Sequence, residues 1–165
     1  MIRINRKVMI AIELVTDGKD TLRPVSRQPG SNTIGMVAWL VHWFSPEHPD
    51  RPLAPFHRGP SPFDINKDGT EDEMKNRVIW DAAAIDEKKQ KTDKAIWDYL
   101  KSHDYPNYEE LHRDRAGKGR WMIVIANDMS VLYGSFGPEE DRLFYLASKF
   151  SRSLGVPRVY LSANR

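Results

Sequence analysis

Residues 33–44 read TIGMVAWLVHWF, and nine of these twelve residues are apolar. A membrane-spanning helix needs about 20 apolar residues, so this run is too short to cross a bilayer. Pro29-Gly30 interrupts the preceding chain, Ser31-Asn32 offers a helix N-cap, and the run is longer than a usual strand. A helix that is apolar on all sides is normally buried. The pattern therefore predicts that residues 33–44 form a buried helix at the centre of the fold.

The composition is that of a protein with a packed core. The 165 residues are 40% hydrophobic and predict one domain over residues 1–165. Cysteine is absent, which excludes disulfides, thiol catalysis and thiolate zinc sites and favours a cytoplasmic protein. Glu13 and Asp17 end the apolar run of residues 6–15 without a cleavage site, so we expect a first strand there and no signal peptide.

Residues 71–104 are typical of a long acidic helix. Apolar side chains recur along them with the helical period, which predicts one buried face. The segment 86–92 is wholly polar, so the helix is expected either to project into solvent there or to kink.

The last third of the chain predicts a β-hairpin, a helix and a strand. Asn127-Asp128 separates two strand-like runs, and both residues tolerate positive φ in tight hairpins. Pro138 marks the start of a helix and Gly155 its end. The unit comprises residues 120–162, with hairpin strands at 120–126 and 130–136 and a last strand at 156–161.

These elements together predict the α+β class. We expect a mostly antiparallel sheet of four or five strands, with the buried central helix and the C-terminal helix packed on it. The long acidic helix is expected to lie across or beyond this core.

Residues 64–73 resemble the first half of an EF-hand calcium loop. Asp64, Asn66 and Asp68 stand at positions 1, 3 and 5, and Gly69 stands at position 6, where oxygen ligands and a sharp turn are required. Position 12 is Lys75 where an EF-hand has glutamate, so another carboxylate must replace that ligand. The resemblance implies a structural Ca²⁺ site formed by Asp64, Asn66, Asp68, Thr70 and Glu73. The alternative is a turn that caps the following helix.

Residues 112–120 read HRDRAGKGR and form a basic turn. The backbone amides of Gly117 and Gly119 lie beside cations, a combination that suits phosphate or nucleic acid. The alternative is a solvated turn whose charges protect a strand edge. The cations of the turn are Arg113, Arg115, Lys118 and Arg120.

Two tryptophans, Trp80 and Trp97, lie off the apolar stripe of the long helix. Tryptophan is enriched in binding hot spots, so these side chains with the neighbouring Asp81, Asp86 and Asp98 predict a surface for a protein partner. The alternative is that the fold covers both faces of the helix.

No complete catalytic motif is present, which favours a protein that is not an enzyme. Six prolines within residues 45–63 predict an extended surface loop, a common location for binding functions. The sequence therefore predicts a small soluble binding protein, of a bacterial or phage accessory type, that engages a macromolecule through the acidic helix and the proline-rich loop. The alternative is a metal-dependent phosphodiesterase or nuclease, or a nucleic-acid-binding protein, that uses His57, Asp64, Asp68 and the basic turn.

Overall fold

The computed structural model describes residues 9–28, 30–43 and 71–163, with side chains described from residue 86 onward in the last range. The chain forms two compact units, one of residues 1–45 with 92–165 and one of residues 46–91. The prediction of one domain, and that of a proline-rich surface loop at 45–63, stay predictions.

The first unit contains a five-stranded sheet. Its spatial order is β2-β1-β3-β4-β5, and only the pairing of β4 with β5 is parallel. The strands are β1 (Met9–Thr16), β2 (Leu22–Val25), β3 (Met36–Trp43), β4 (Arg120–Asn127) and β5 (Arg158–Leu161). Three α-helices accompany them among the described residues, namely α1 (Glu71–Ser102), α2 (Tyr108–Arg115) and α3 (Pro138–Leu154). The predicted α+β class with a mostly antiparallel sheet is confirmed.

The predicted central helix at 33–44 is wrong, because this segment forms the middle strand β3. Alternate side chains point to one face, where Met36, Ala38, Leu40 and His42 are all completely buried. The residues between them, such as Val37, are also apolar, so the segment reads as a continuous hydrophobic run. Such a run has no period that separates strand from helix.

Two helices, α3 and the end of α1, contribute buried side chains to the core on this sheet. Leu143, Leu146 and Ala147 of α3 are buried against β1, β3 and β4. Ile96 and Leu100, in the last turns of α1, are fully buried in the same hydrophobic cluster. The end of the long helix therefore belongs to the core.

Helix α1 is continuous, and it ends two residues earlier than the predicted bound of 104. The polar segment 86–92 stays helical, and its Lys91 forms an ion pair with Glu87 at 2.6 Å one turn away. The segment therefore does not interrupt the helix.

The predicted start and end of helix α3 are confirmed. It begins at Pro138, and Gly155 follows its last residue with a φ of 67°, a left-handed conformation that glycine adopts without a steric penalty. The strand after it is also confirmed, at Arg158–Leu161.

The predicted second hairpin strand at 130–136 is wrong. A short 3₁₀ turn, Leu132–Gly134, occupies this segment, and the backbone of Leu132 and Tyr133 has positive φ. Both edges of β4 are already paired, with β3 on one side and β5 on the other. A hairpin partner therefore has no free edge, and the unit is a parallel β4-α3-β5 crossover instead.

Among the described residues, no helix has both the length and the apolar character needed to cross a bilayer.

Candidate functional site

The predicted calcium ligands lie mostly outside the described residues. This applies to Asp64, Asn66, Asp68 and Thr70, whereas Glu73 lies on α1 with its side chain not described. Within the described part of the chain, no group of three or more histidine, aspartate or glutamate side chains is arranged to hold a metal ion. Calcium binding at 64–73 stays a prediction.

The predicted partner surface is divided between exposed and buried side chains. Asp86 and Asp98 are exposed, and the side chains of Trp80 and Asp81 lie outside the described residues. Trp97 is only 4% exposed and meets the ring of Trp121 edge-on, with centroids 5.2 Å apart. Trp97 is thus a core residue and not a surface contact, while the role of the other four stays a prediction.

The basic turn is held against the core by a carboxylate of α1. Asp93 accepts hydrogen bonds from the Gly117 amide at 2.8 Å and from the Trp121 indole N–H at 2.9 Å. The Gly117 amide, expected to face a phosphate, is therefore engaged within the protein. Of the four predicted cations, Arg113, Lys118 and Arg120 are exposed, and Arg115 is buried. Phosphate binding at this turn stays a prediction.

His42 fixes the other side of the same turn. Its ring is completely buried, lies 4.5 Å from the Trp121 ring centroid, and bonds through Nε2 to the Lys118 carbonyl at 2.7 Å. Since a carbonyl oxygen only accepts, Nε2 carries the proton in this bond. His42 is therefore a hydrogen-bonded core histidine.

A second polar cluster lies where β3 begins and α3 starts. The buried carboxylate of Glu140 accepts the Gly35 amide at 2.6 Å and the Gly137 amide at 2.9 Å. Burial raises the pKa of Glu140, but the bonds from the amides of Gly35, Glu140 itself and Gly137 outweigh it, so the pKa lies below its usual value. The carboxylate stays ionised and joins two segments that are far apart in sequence.

Asn127 and Asp128, at the end of β4, extend this cluster. The Asn127 amide donates to the Gly134 carbonyl at 3.0 Å and its oxygen accepts the Tyr160 hydroxyl at 2.8 Å. Asp128 accepts the Ser130 amide and the Asn32 side-chain amide, at 3.0 and 3.1 Å. Bonds from Ser130 and then Asn32 hold the pKa of Asp128 below its usual value. Asn127 and Asp128, which were expected to form a hairpin turn, are instead hydrogen-bonded to several loops.

A groove of about 630 Å³ lies beside this junction. Its walls include the ion pair of Arg27 with Glu13, whose two contacts are 2.5 and 2.8 Å long, the half-buried Trp39 and the carboxylate of Asp128. No sequence motif marks this groove, because its walls come from four strands and three loops that only the folded sheet brings together.

In a comparison with known proteins, the similar proteins are named acetyl-CoA carboxylase. The chain is 28% identical over 152 residues, 92% of its length, to acetyl-CoA carboxylase of Schizosaccharomyces pombe. It is 24% identical over 163 residues, 99% of its length, to acetyl-CoA carboxylase of Saccharomyces cerevisiae. A segment of 46 residues, 28% of the chain, is 59% identical to acetyl-CoA carboxylase of Dictyostelium discoideum, where it covers 2% of that protein. No family model matches the chain.

The chain spans only about 4% of the length of the two fungal relatives. These relatives nevertheless overturn the prediction of a bacterial or phage accessory binding protein, because proteins that match nearly the whole chain are named for the carboxylation of acetyl-CoA. The same finding overturns the alternative of a phosphodiesterase, nuclease or nucleic-acid-binding protein.

Proposed function

We propose that this chain is a folded segment of a carboxylase that acts on acetyl-CoA. The observation that carries the proposal is the similarity to fungal acetyl-CoA carboxylases over 92 to 99% of the chain. Similarity that continues through strands, loops and helices alike is expected when a whole structural segment is shared, and not only a short motif.

The geometry supports a role as a scaffold within a larger enzyme. The Glu140 and Asn127 clusters fix the loops at one end of the sheet through buried bonds, and rigid strands that position loops are the usual support for functional sites. The partner implied by the proposal is protein: the remaining polypeptide of such a carboxylase.

A segment exchange tests the proposal. This chain would replace the aligned segment of the S. pombe carboxylase, and incorporation of labelled bicarbonate into acetyl-CoA would be measured on the purified protein. We expect the exchanged enzyme to retain carboxylation well above a variant that lacks the segment, since the same fold would be restored.

Leu40→Asp in the exchanged segment is the matched control. Leu40 is completely buried, so a charge there disrupts the segment and should reduce carboxylation to the level of the deletion. A folded exchange protein, shown by a cooperative thermal transition, that carboxylates no better than the deletion would contradict the proposal.

A further inference from the structure

The groove beside Asp128 has the size and the mixed walls of a ligand site. Its volume of about 630 Å³ falls within the range of pockets that bind small molecules, roughly 300 to 1,000 Å³. Its floor includes Val37 and Trp39 of β3 and Ala11 of β1, which alternate along their strands with fully buried core residues. Polar residues of the loops after β2 and β4 form its rim. Neither a sequence motif nor the similarity to carboxylases assigns a ligand to this groove.

The described lining of the groove includes two half-buried aromatic rings, those of Trp39 and Tyr105. An indole ring attracts a cation over its face more strongly than the other aromatic rings do. Strand register places Glu13 of β1 directly opposite Trp39, and side chains of such a pair lie on the same face of a sheet. Arg27 donates two hydrogen bonds to the Glu13 carboxylate. The wall beside Trp39 therefore already holds one guanidinium group.

The charges of the described lining residues do not balance. Arg27 is neutralised by Glu13, which leaves the carboxylate of Asp128. Asp128 accepts hydrogen bonds from Ser130 and Asn32, which are neutral, and no basic side chain in the described part of the chain forms an ion pair with it. Bonds from Ser130 and then Asn32 hold the pKa of Asp128 below its usual value, so the group is ionised at neutral pH. Since a carboxylate has about four acceptor positions, Asp128 can accept a further hydrogen bond from a cation.

We propose that this groove binds an organic cation, namely a primary ammonium or guanidinium group at the end of an alkyl chain. The cation contacts the Trp39 ring and donates to the Asp128 carboxylate, and the alkyl chain packs on Val37 and Ala11. Lysine and arginine side chains and free polyamines share this chemistry. A metal ion fits less well, because no group of three or more acidic or histidine side chains converges among the described residues. The inference goes beyond the proposed function and does not depend on it.

Isothermal titration calorimetry of the full chain tests the proposal with two charged probes. One is the free diamine cadaverine, and the other is a capped peptide with a single lysine between glycines. A capped peptide with norleucine in place of lysine has the same alkyl chain without the charge and is the control. We expect at least one charged probe to bind, and the norleucine peptide to bind about tenfold more weakly or not at all, since it lacks the cation. Binding of cadaverine alone would support a free polyamine as the ligand, whereas binding of the lysine peptide would support a basic segment of a protein.

Trp39→Leu and Trp43→Leu form a matched pair of variants. Both tryptophans belong to β3, and Trp43 is 48% exposed but does not line the groove. Trp39→Leu should raise the dissociation constant of the charged probe about tenfold, because the ring that attracts the cation is lost, whereas Trp43→Leu should change it by less than about twofold. Asp128→Asn keeps the size of the side chain, removes its charge and should weaken binding by a factor similar to that of Trp39→Leu. A cooperative thermal transition would show that each variant is folded.

Three results would overturn the inference. The first is that neither charged probe binds at millimolar concentration. The second is equal affinity of the wild-type chain for the lysine and norleucine peptides, a comparison that needs no variant. The third is an equal loss of affinity in Trp39→Leu and Trp43→Leu, because the cation would then bind outside the groove. None of these results bears on the proposed function, since the segment exchange measures carboxylation and not the binding of a cation.

Discussion

At the scale of one residue, Glu140 joins two segments of the chain that are far apart in sequence. Its carboxylate receives two backbone amides in a buried site, and charge-assisted bonds of this kind are stronger than neutral ones. The sequence marks Glu140 as a favourable residue in the first turn of α3, but its bond to Gly35, 105 residues earlier, exists only in the folded protein.

Glu140→Gln should destabilise the protein at pH 7 by about 1.5 to 3 kcal/mol, because the charged acceptor is lost. The pKa of Glu140 is lower in the folded state than its usual value of 4.5. Its contribution is therefore present above that value and is lost as the pH falls through the lower, folded pKa. Urea unfolding from pH 7 to pH 3 should show a shallower acid loss in the variant. The exposed neighbour Glu139→Gln is the control, and a variant as pH-dependent as the wild type would contradict the prediction.

Gly119 and Gly117 provide a matched pair in the basic turn. Both have positive φ, 67° and 74°, so alanine at either position meets backbone strain of about 1 to 2 kcal/mol. A Cβ at Gly119 would also lie 2.3 Å from the Trp43 carbonyl oxygen, whereas one at Gly117 has no atom within 4 Å. Gly119→Ala should thus lower the free energy of unfolding by about 1 to 3 kcal/mol more than Gly117→Ala. Equal losses in urea titrations would show that the close approach is absent.

At the scale of elements, α1 and the basic turn are joined through Asp93. The half-buried carboxylate serves both the Gly117 amide and the Trp121 indole, so it links a helix to the start of β4. The helical period of the sequence predicted one buried face on α1, and Ile96 and Leu100 are buried, as is Trp97, which was expected to lie off that face. It did not reveal Asp93 as an anchor, because that role depends on which turn faces the helix.

Asp93→Ala should reduce the free energy of unfolding by about 1 to 2 kcal/mol, since the indole N–H and the Gly117 amide lose their acceptor. Hydrogen exchange at the Gly117 amide should accelerate in the same variant. Asp98→Ala removes an equal charge from an exposed position of the same helix and should change stability by less than about 0.5 kcal/mol. Unchanged exchange at Gly117 would argue against the anchor.

At the scale of the whole molecule, the predicted calcium loop should affect the free energy of unfolding. An ion that binds only the folded protein at 100 times its dissociation constant stabilises it by about 2.7 kcal/mol. Thermal unfolding in millimolar Ca²⁺ against EGTA should then show an upward shift of several degrees. Asp64→Ala with Asp68→Ala should abolish the shift, while Asp86→Ala with Asp98→Ala, which removes the same charge, should preserve it. No shift with Ca²⁺ would reduce residues 64–73 to a helix cap.

The relatives of the whole chain were not predictable from its motifs. The incomplete EF-hand pattern and the basic turn suggested ion or phosphate chemistry, yet proteins similar over nearly the whole chain are carboxylases of acetyl-CoA. A chain that matches about 4% of such a relative need not contain a complete catalytic motif. The absence of one was therefore a weak argument for a non-enzymatic binding protein.

The sequence by itself determined the elements whose signals are local. Helix α3 begins at Pro138 and is followed by Gly155 because ring geometry and the missing Cβ act within one turn, and the apolar period predicted that α1 is a helix. Only the tertiary structure decided that residues 36–43 are a strand and that residues 130–136 are not. A continuous apolar run carries no period of its own, and a strand is stabilised by hydrogen bonds to partners elsewhere in the chain. Pairing with β1 and β4 made β3 the centre of the sheet, and pairing of β4 with β3 and β5 left no edge for a hairpin.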